Sequence, residues 1–353
     1  MEEKVKVGIV GCGTQAQVVH LPLLRSSKLV EIVALCDTDV RKLNHLGARY
    51  NVKKHYVDFD DFKEDADIQA VVIATPNHLH APMSIACMEY GKDVLCESPL
   101  ALSAPEAREM LAVAVQEKRK LVPCLNYRLR PDVVVMKKFV ANGELGSIYY
   151  AKAGWLRGRG SWTLSGWHAD RLRAGGGAFM SLGAEILDYS LYLLQPAQPV
   201  SIIGSAYRRE GSMNVEDSAF AMVRFDQELV LTIEVGWSLL REDDITYFNL
   251  FGSKGAALLN PIQINKEMHG HLVNVTPALP SRDPLRASAE KQLELFLRSI
   301  LFQEELAVKS EDAVLVSELI DAFYQSVAQR KEAYLPERPA ERPDELRRQN
   351  AEH

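Results

Sequence analysis

The first third of the chain alternates two kinds of segment, and that alternation restricts its fold more than any other feature. Short apolar runs read as strands at Lys4 to Val10, Val30 to Cys36, Ala70 to Ala74, Asp93 to Cys96 and Lys120 to Cys124. Helix-length segments at Gln17 to Arg25, Asp39 to Tyr50, Ala81 to Tyr90 and Ala104 to Lys118 lie between them. A run such as Ala70 to Ala74, apolar at every position, suits a strand covered on both faces. Strands joined through helices pair in parallel, because the chain returns to the same end of the sheet only by a crossover. Residues 1–125 are therefore predicted to form an α/β, doubly wound parallel sheet.

The turn after the first strand, Gly11-Cys12-Gly13-Thr14-Gln15-Ala16, has the G-x-G-x-x-A spacing of a dinucleotide site. Gly11 allows the tight turn, Gly13 lets the backbone approach a pyrophosphate, and Ala16 permits close helix packing. The helix N-terminus adds N–H groups and a positive dipole for the phosphates. Asp37, at the end of the second strand, sits where a carboxylate accepts hydrogen bonds from ribose hydroxyls and repels a 2′-phosphate. The cofactor predicted is NAD, with Arg41 leaving NADP open. The stretch Thr75-Pro76-Asn77-His78-Leu79-His80 follows the third strand, at the sheet edge where such folds hold ligands, and reads as a cofactor contact rather than a metal site.

From Asn126 the pattern changes. A helix at Asp132 to Asn142 precedes strand-like segments at Ser147 to Leu156, Val200 to Tyr207, Ser218 to Phe225, Leu229 to Trp237 and Thr246 to Phe251. Two amphipathic helices follow, at Ala287 to Phe302 and Glu311 to Gln329. This predicts a C-terminal α+β domain over residues 126–335, with a large open, mostly antiparallel sheet, and a solvated tail at 336–353. A length of 353 residues, 47% hydrophobic and 25% charged, suits two folded domains. The net charge of −6 without clustered Lys and Arg argues against nucleic acid as a partner. No apolar run approaches the ~20 residues of a membrane span, so no membrane partner is expected. The charged start leads straight into a strand, which predicts a cytoplasmic protein. Cys12, Cys36, Cys87, Cys96 and Cys124 form no C-x-x-C pair and read as buried thiols. His269-Gly270-His271 reads as a surface turn, and no metal is expected.

Several motifs together resemble the Gfo/Idh/MocA oxidoreductases: the glycine turn with His20-Leu21-Pro22 beyond it, Thr75-Pro76-Asn77-x-x-His80, Glu97-x-Pro99, Asn126-Tyr127-Arg128, and Gly175-Gly176-Gly177 opening a helix. The resemblance implies an N-terminal Rossmann domain holding NAD or NADP, and a C-terminal domain that supplies a substrate pocket and a homo-oligomer interface, as a dimer or tetramer. Carried over by position, Gly11, Gly13, Thr14, Gln15, Asp37, Thr75, Asn77, His80, Glu97 and Asn126 would line the cofactor.

Against the same pattern, Ser98 stands where the family commonly has Lys, and Ser181 and Glu185 stand where it commonly has Asp and His. Glu185 remains ionisable and is a candidate base, as is His168, whose imidazole has a suitable intrinsic pKa. Arg128, Trp167 and Arg171 are candidate substrate contacts, since Arg forks bind anions and Trp faces stack on sugar rings. Arg157, Arg159, Arg173, Trp155 and Trp162 accompany them in sequence. Two functions follow: an NAD(P)-dependent oxidoreductase with a non-standard site acting on a sugar-like or acidic small molecule, or an inactive dinucleotide-binding sensor of the same fold.

Overall fold

A computed structural model describes residues 4–158, 166–209, 213–240, 242–279 and 283–336. The chain opens with β1 (Val5–Val10), then a π-type helical turn (Ala16–His20) that runs directly into α1 (Leu21–Ser26). β2 (Val30–Cys36), α2 (Val40–Tyr50), β3 (Lys54–Tyr56), α3 (Phe59–Glu64), β4 (Ala70–Ile73), α4 (His80–Glu89), β5 (Asp93–Cys96), α5 (Ala104–Gln116) and β6 (Leu121–Pro123) follow. The six strands pair in parallel in the order β3-β2-β1-β4-β5-β6. The winding reverses between β1 and β4, which opens a crevice at the carboxyl ends of those strands. Asp39 and Ser103 start α2 and α5 as N-caps, their side chains accepting backbone N–H groups of the first turn.

The second half contains α6 (Pro131–Ala141), β7 (Ile148–Gly158), the one-turn α7 (Arg171–Ala174), and a second π-type turn (Phe179–Gly183) leading into α8 (Ala184–Leu194). There follow β8 (Pro199–Tyr207), β9 (Ser218–Phe225), β10 (Val230–Leu239), β11 (Ile245–Gly252), β12 (Gly255–Leu259), β13 (Gln263–Met268), β14 (His271–Asn274), α9 (Pro284–Phe302), α10 (Ser310–Gln329) and β15 (Ala333–Tyr334). Nine strands form one sheet in the order β14-β13-β12-β11-β7-β10-β9-β8-β15. Only β7 and β10 pair in parallel; the remaining pairs are antiparallel. The predicted fold class, a parallel Rossmann sheet followed by a mostly antiparallel one, is the observed architecture.

The helix expected at Gln17 begins instead as the π-type turn. β3, α3, β12, β13, β14 and β15 are elements the sequence reading did not place. Most are short edge pieces with polar neighbours, so the period-2 pattern that marks a half-buried strand is weak in them. His269 and Gly270 turn the chain between β13 and β14, and His271 opens β14 in an exposed position. The five cysteines are free and buried. No helix among the described residues is long and apolar enough to cross a membrane.

The two C-terminal helices turn back onto the first sheet. Leu293, Phe296 and Leu297 of α9 share a core with Val5, Val7 and Leu24, while Ala313 and Val314 of α10 pack with Met110 and Leu121. This burial, worth on the order of 2 kcal/mol per large side chain, fixes the C-terminal helices against the first sheet.

Candidate active site

The crevice is built by the end of β1. Gly11 has φ +85 and donates its N–H to the Cys36 carbonyl at 2.9 Å. A Cβ there would lie 2.5 Å from the carbonyl oxygen of Ala74, so both the backbone angle and the close approach to the end of β4 require glycine. At Gly13 a Cβ would meet nothing within 4 Å, leaving room in front of the turn for a phosphate. Thr14 and Gln15 are exposed at this mouth. Gly11→Ala is expected to destabilise the fold by about 1–2 kcal/mol from the left-handed angle alone and to weaken NADH binding; thermal melts and fluorescence titration check both.

Asp37 closes one side. Its Oδ2 accepts the Cys12 N–H at 2.8 Å and its Oδ1 the Asp39 N–H at 2.9 Å. Lys42 Nζ lies 3.1 Å from each oxygen. Arg41, the cation that sequence reasoning singled out, is exposed, and Lys42 is the one that reaches the carboxylate. Beside Asp37 a cleft of about 500 Å³ is lined by Gly11, Phe59, Thr75, Pro76, Leu79 and Met83. Thr75 Oγ1 is buried there without a hydrogen-bond partner among the described residues. An apolar slot for a base, a carboxylate for a ribose, an orphaned hydroxyl and an open glycine turn fit a dinucleotide.

Asn77 and His80 both hydrogen-bond to the protein's own backbone carbonyls. Asn77 Nδ2 donates to the Ala174 carbonyl at 2.9 Å, tying this loop to α7. The ring nitrogens of His80, fully enclosed, lie 2.7 Å from the Pro99 carbonyl and 2.9 Å from that of Thr75. Asn126 accepts a hydrogen bond from Ser288 of α9 at 3.2 Å.

At the inner end of the crevice, His20 Nε2 donates to Glu97 Oε1 at 2.5 Å. Burial raises the Glu97 pKa, but the His20 hydrogen bond and charge, with the Gln15 side chain, outweigh it and hold the group below the ordinary carboxylate range. The Cys124 thiol lies near this pair, the three ligand-type atoms falling within 4.8 Å of one another. Burial keeps that thiol far above its ordinary pKa and so protonated, and His20 and Glu97 already satisfy each other.

Glu185, in the first turn of α8, faces the same point. Burial, then the nearby charges of Asp188 and Glu97, push its carboxyl well above the ordinary 4.5. The Ser98 hydroxyl is close enough to oppose that shift, yet the approach does not reach hydrogen-bond geometry. Ser98 Oγ and Glu185 Oε2 are consequently both buried without hydrogen-bond partners among the described residues. Tyr127 and Tyr189 feel the charge of Glu185, and Tyr127 packs on Trp155 with ring centroids 5.2 Å apart. This aromatic wall comes from distant segments; sequence reasoning named Tyr127 only within the Asn126-Tyr127-Arg128 motif and Trp155 only as part of a composition, and missed Tyr189.

The remaining candidates that the structure describes have partners of their own. Ser181 Oγ accepts the Trp237 Nε1 hydrogen bond at 2.9 Å, which turns it toward β10. The rings of Trp167 and His168 stack at 3.7 Å, just before α7. Arg171 lies over the Tyr324 ring at 5.5 Å, and Arg173 pairs with Asp170 at 3.7 Å. Arg159 and Trp162 fall outside the described residues. Arg128 corrects an expectation: it is 3% exposed, pairs with Asp188 and with Asp312, and so belongs to a buried ion triad rather than to a surface a substrate touches. Glycine at Gly177 also has a local cause, because a Cβ would stand 1.8 Å from the Glu216 carbonyl oxygen, while its N–H donates to the Glu216 carboxylate at 3.0 Å.

Comparison with known proteins fits this geometry. Residues 5–124 match the model described as "Oxidoreductase family, NAD-binding Rossmann fold", and residues 133–258 match the Gfo/Idh/MocA C-terminal domain. The chain belongs to the Gfo/Idh/MocA oxidoreductase family. This family member is 25% identical over 339 residues to D-glucoside 3-dehydrogenase of Escherichia coli, covering 91% of this chain and 95% of that protein. It is 26% identical over 238 residues to levoglucosan dehydrogenase of Pseudarthrobacter phenanthrenivorans, covering 60% of each. A crystal structure of levoglucosan dehydrogenase with NADH and levoglucosan shares the fold, with a TM-score of 0.84 at 22% identity over 95% of this chain and 100% of the other.

Proposed function

We propose that this Gfo/Idh/MocA protein is an NAD(P)-dependent sugar oxidoreductase in which Glu185 exchanges the proton of the reacting hydroxyl. The observation that carries this reading is the Glu185 carboxyl itself, buried beside Glu97 and Ser98 with one oxygen unpartnered. Relatives of this chain carry the names of sugar dehydrogenases, and the Tyr127 and Trp155 rings supply faces suited to the apolar side of a sugar.

The glycine turn, Asp37, Thr75 and Pro76 would hold the dinucleotide, with NAD favoured by Asp37, and Glu97 and Asn126 standing toward its nicotinamide end. When bound, the nicotinamide accepts or gives a hydride at carbon. Every other task falls to the chain. In reduction, protonated Glu185 gives its proton to the carbonyl oxygen; in oxidation, the ionised form takes the hydroxyl proton. A carboxyl whose pKa is raised keeps its proton to higher pH than an exposed glutamate, so reduction is favoured toward lower pH and oxidation gains as pH rises. Ser98 donates one hydrogen bond to the same oxygen, and Trp167, His168 and Arg171 approach from the α7 side. The outward face of the second sheet exposes Ile203, Tyr207 and Phe220, which a second copy of the chain would cover.

The test is a fluorescence titration with NADH followed by a screen of glucosides, anhydrosugars, sugar acids and cyclitols for absorbance change at the nicotinamide band. Binding with turnover of at least one sugar is expected. Tight binding with no turnover across the screen would replace the enzyme by a dinucleotide-binding sensor, and no binding would remove both.

A further inference from the structure

We infer that Glu216 is a positioning residue for Glu185: it fixes the start of the helical segment that carries the reacting carboxyl. The inference rests on the reading of Glu185 as the proton-exchanging group. A helix leaves its first backbone N–H groups without intrahelical partners, and the groups that receive them help set where the helix begins. Here the Ser181 N–H bonds back to the Gly177 carbonyl at 3.2 Å. The N–H groups of Gly177, Ala178 and Phe179 come before it, and all three go to Glu216.

Glu216 Oε1 by itself accepts the Gly177 and Phe179 N–H groups, each at 3.0 Å, and the Tyr324 hydroxyl of α10 at 2.8 Å. The Glu216 carbonyl takes the Ala178 N–H at 3.0 Å. The residue is buried just before β9, so removing its carboxylate strands N–H groups that bulk water does not reach. A Cβ at Gly176 would stand 1.9 Å from the Tyr324 hydroxyl oxygen, so glycine is what lets α10 approach this cap. A second hold lies further along: Trp237 Nε1 donates to Ser181 Oγ at 2.9 Å, while the Trp237 N–H donates to the Asp217 carbonyl at 2.9 Å. Neighbouring residues Glu216 and Asp217 therefore hold the segment at two points. The π-type turn Phe179–Gly183 lies between the cap and Glu185. Such a turn carries an extra residue, so the direction in which Glu185 points depends on where the turn begins. None of these bonds involves Glu185 itself, and Glu216 acts on it through the backbone.

The test compares Glu216→Ala, Glu216→Gln and Tyr324→Phe with wild type, using the glucoside or anhydrosugar that reacts fastest in the screen and counting active sites by NADH titration. Glu216→Ala is expected to lower kcat per NADH-binding site by about tenfold or more, with KM and NADH affinity changed by less than about threefold. The pH at which oxidation rises should also fall, because a carboxyl held less firmly in its buried position gains solvent. The groups that face Glu185, namely Asp188, Tyr189, Glu97, Cys124, Tyr127 and Arg128, are unchanged in these variants. Glu216→Gln keeps an oxygen able to serve all three donors and should hold kcat within about threefold of wild type, with the wild-type pH profile. Tyr324→Phe removes one donor and should fall between the two. A kcat per site within about twofold of wild type in Glu216→Ala overturns the inference. An equal loss in the Ala and Gln variants overturns it too, since charge and not placement would then be the cause. Where the alanine variant does not fold, Tyr324→Phe decides, and an unchanged kcat overturns the inference. A wild-type rate retained by Glu185→Gln instead overturns the proton-transfer reading beneath it.

Discussion

Glu185→Gln is expected to lower kcat/KM for sugar oxidation by about 10²–10⁴-fold, the range for loss of a general acid–base group, while leaving NADH affinity within about twofold. The amide keeps the volume and one donor of the carboxyl but cannot carry the proton. The pH profile separates this from a packing effect. In the native chain the carboxyl pKa is raised far above the 4.5 of an exposed glutamate, by burial first and then by Asp188 and Glu97. Wild-type oxidation should therefore climb with pH, reduction should fall, and the Gln variant should show neither slope. Stability carries the same signature with a definite sign. A raised native pKa favours the folded state below the unfolded pKa, and that contribution is lost as pH rises toward the native value. Glu185→Gln should thus melt above wild type at about pH 8, with the gap closing toward about pH 5. A variant keeping more than about a third of the wild-type rate would move the proton-transfer role elsewhere, with His168→Ala the next substitution to test.

Arg128→Met is expected to produce the largest loss of stability, about 3–5 kcal/mol, read from urea unfolding followed by fluorescence. Burial works against the guanidinium charge, but Asp188 and Asp312 outweigh it and hold its pKa above the ordinary value. Arg128 Nε donates to Asp188 Oδ2 at 2.9 Å and Nη1 to Asp312 Oδ2 at 2.5 Å. Removing the cation leaves Asp188, which is wholly enclosed, as a buried charge with no partner. The triad also joins the loop before α6 to α8 and α10, so its loss should loosen the helix that carries Glu185. Arg128→Met with Asp188→Leu should recover part of the loss, because the double change removes the unpaired charge as well. A single-variant loss below about 1 kcal/mol would mean that water reaches the carboxylate and the triad matters little.

Local sequence was informative where one short segment contains the whole physical cause. β2 at Val30–Cys36 and β9 at Ser218–Phe225 fall where the apolar pattern put them, since each faces a core on at least one side. The glycine at position 11 was legible because a turn between a strand and a helix needs its backbone freedom, and Asp37 because the end of the next strand is a fixed distance away in any such fold. β3 and the β12 to β14 edge were not legible, because edge strands carry little hydrophobic pattern of their own. The π-type turns at Ala16–His20 and Phe179–Gly183 were missed for a related reason: one extra residue per turn shifts a helical face without altering composition.

The sequence by itself determined the cofactor-binding half: the parallel sheet, the glycine turn, the acid at its side and the family to which the chain belongs. These follow from contacts between residues close in the chain, where spacing is a direct measure of geometry. Tertiary structure alone decided which side chains remain available to a ligand. Arg128 is taken by carboxylates 60 and 184 positions away. Glu185 is left buried beside Ser98 with an oxygen unpartnered. Whether a polar group is satisfied or free depends on what the fold brings against it, and neither residue type nor local spacing encodes that.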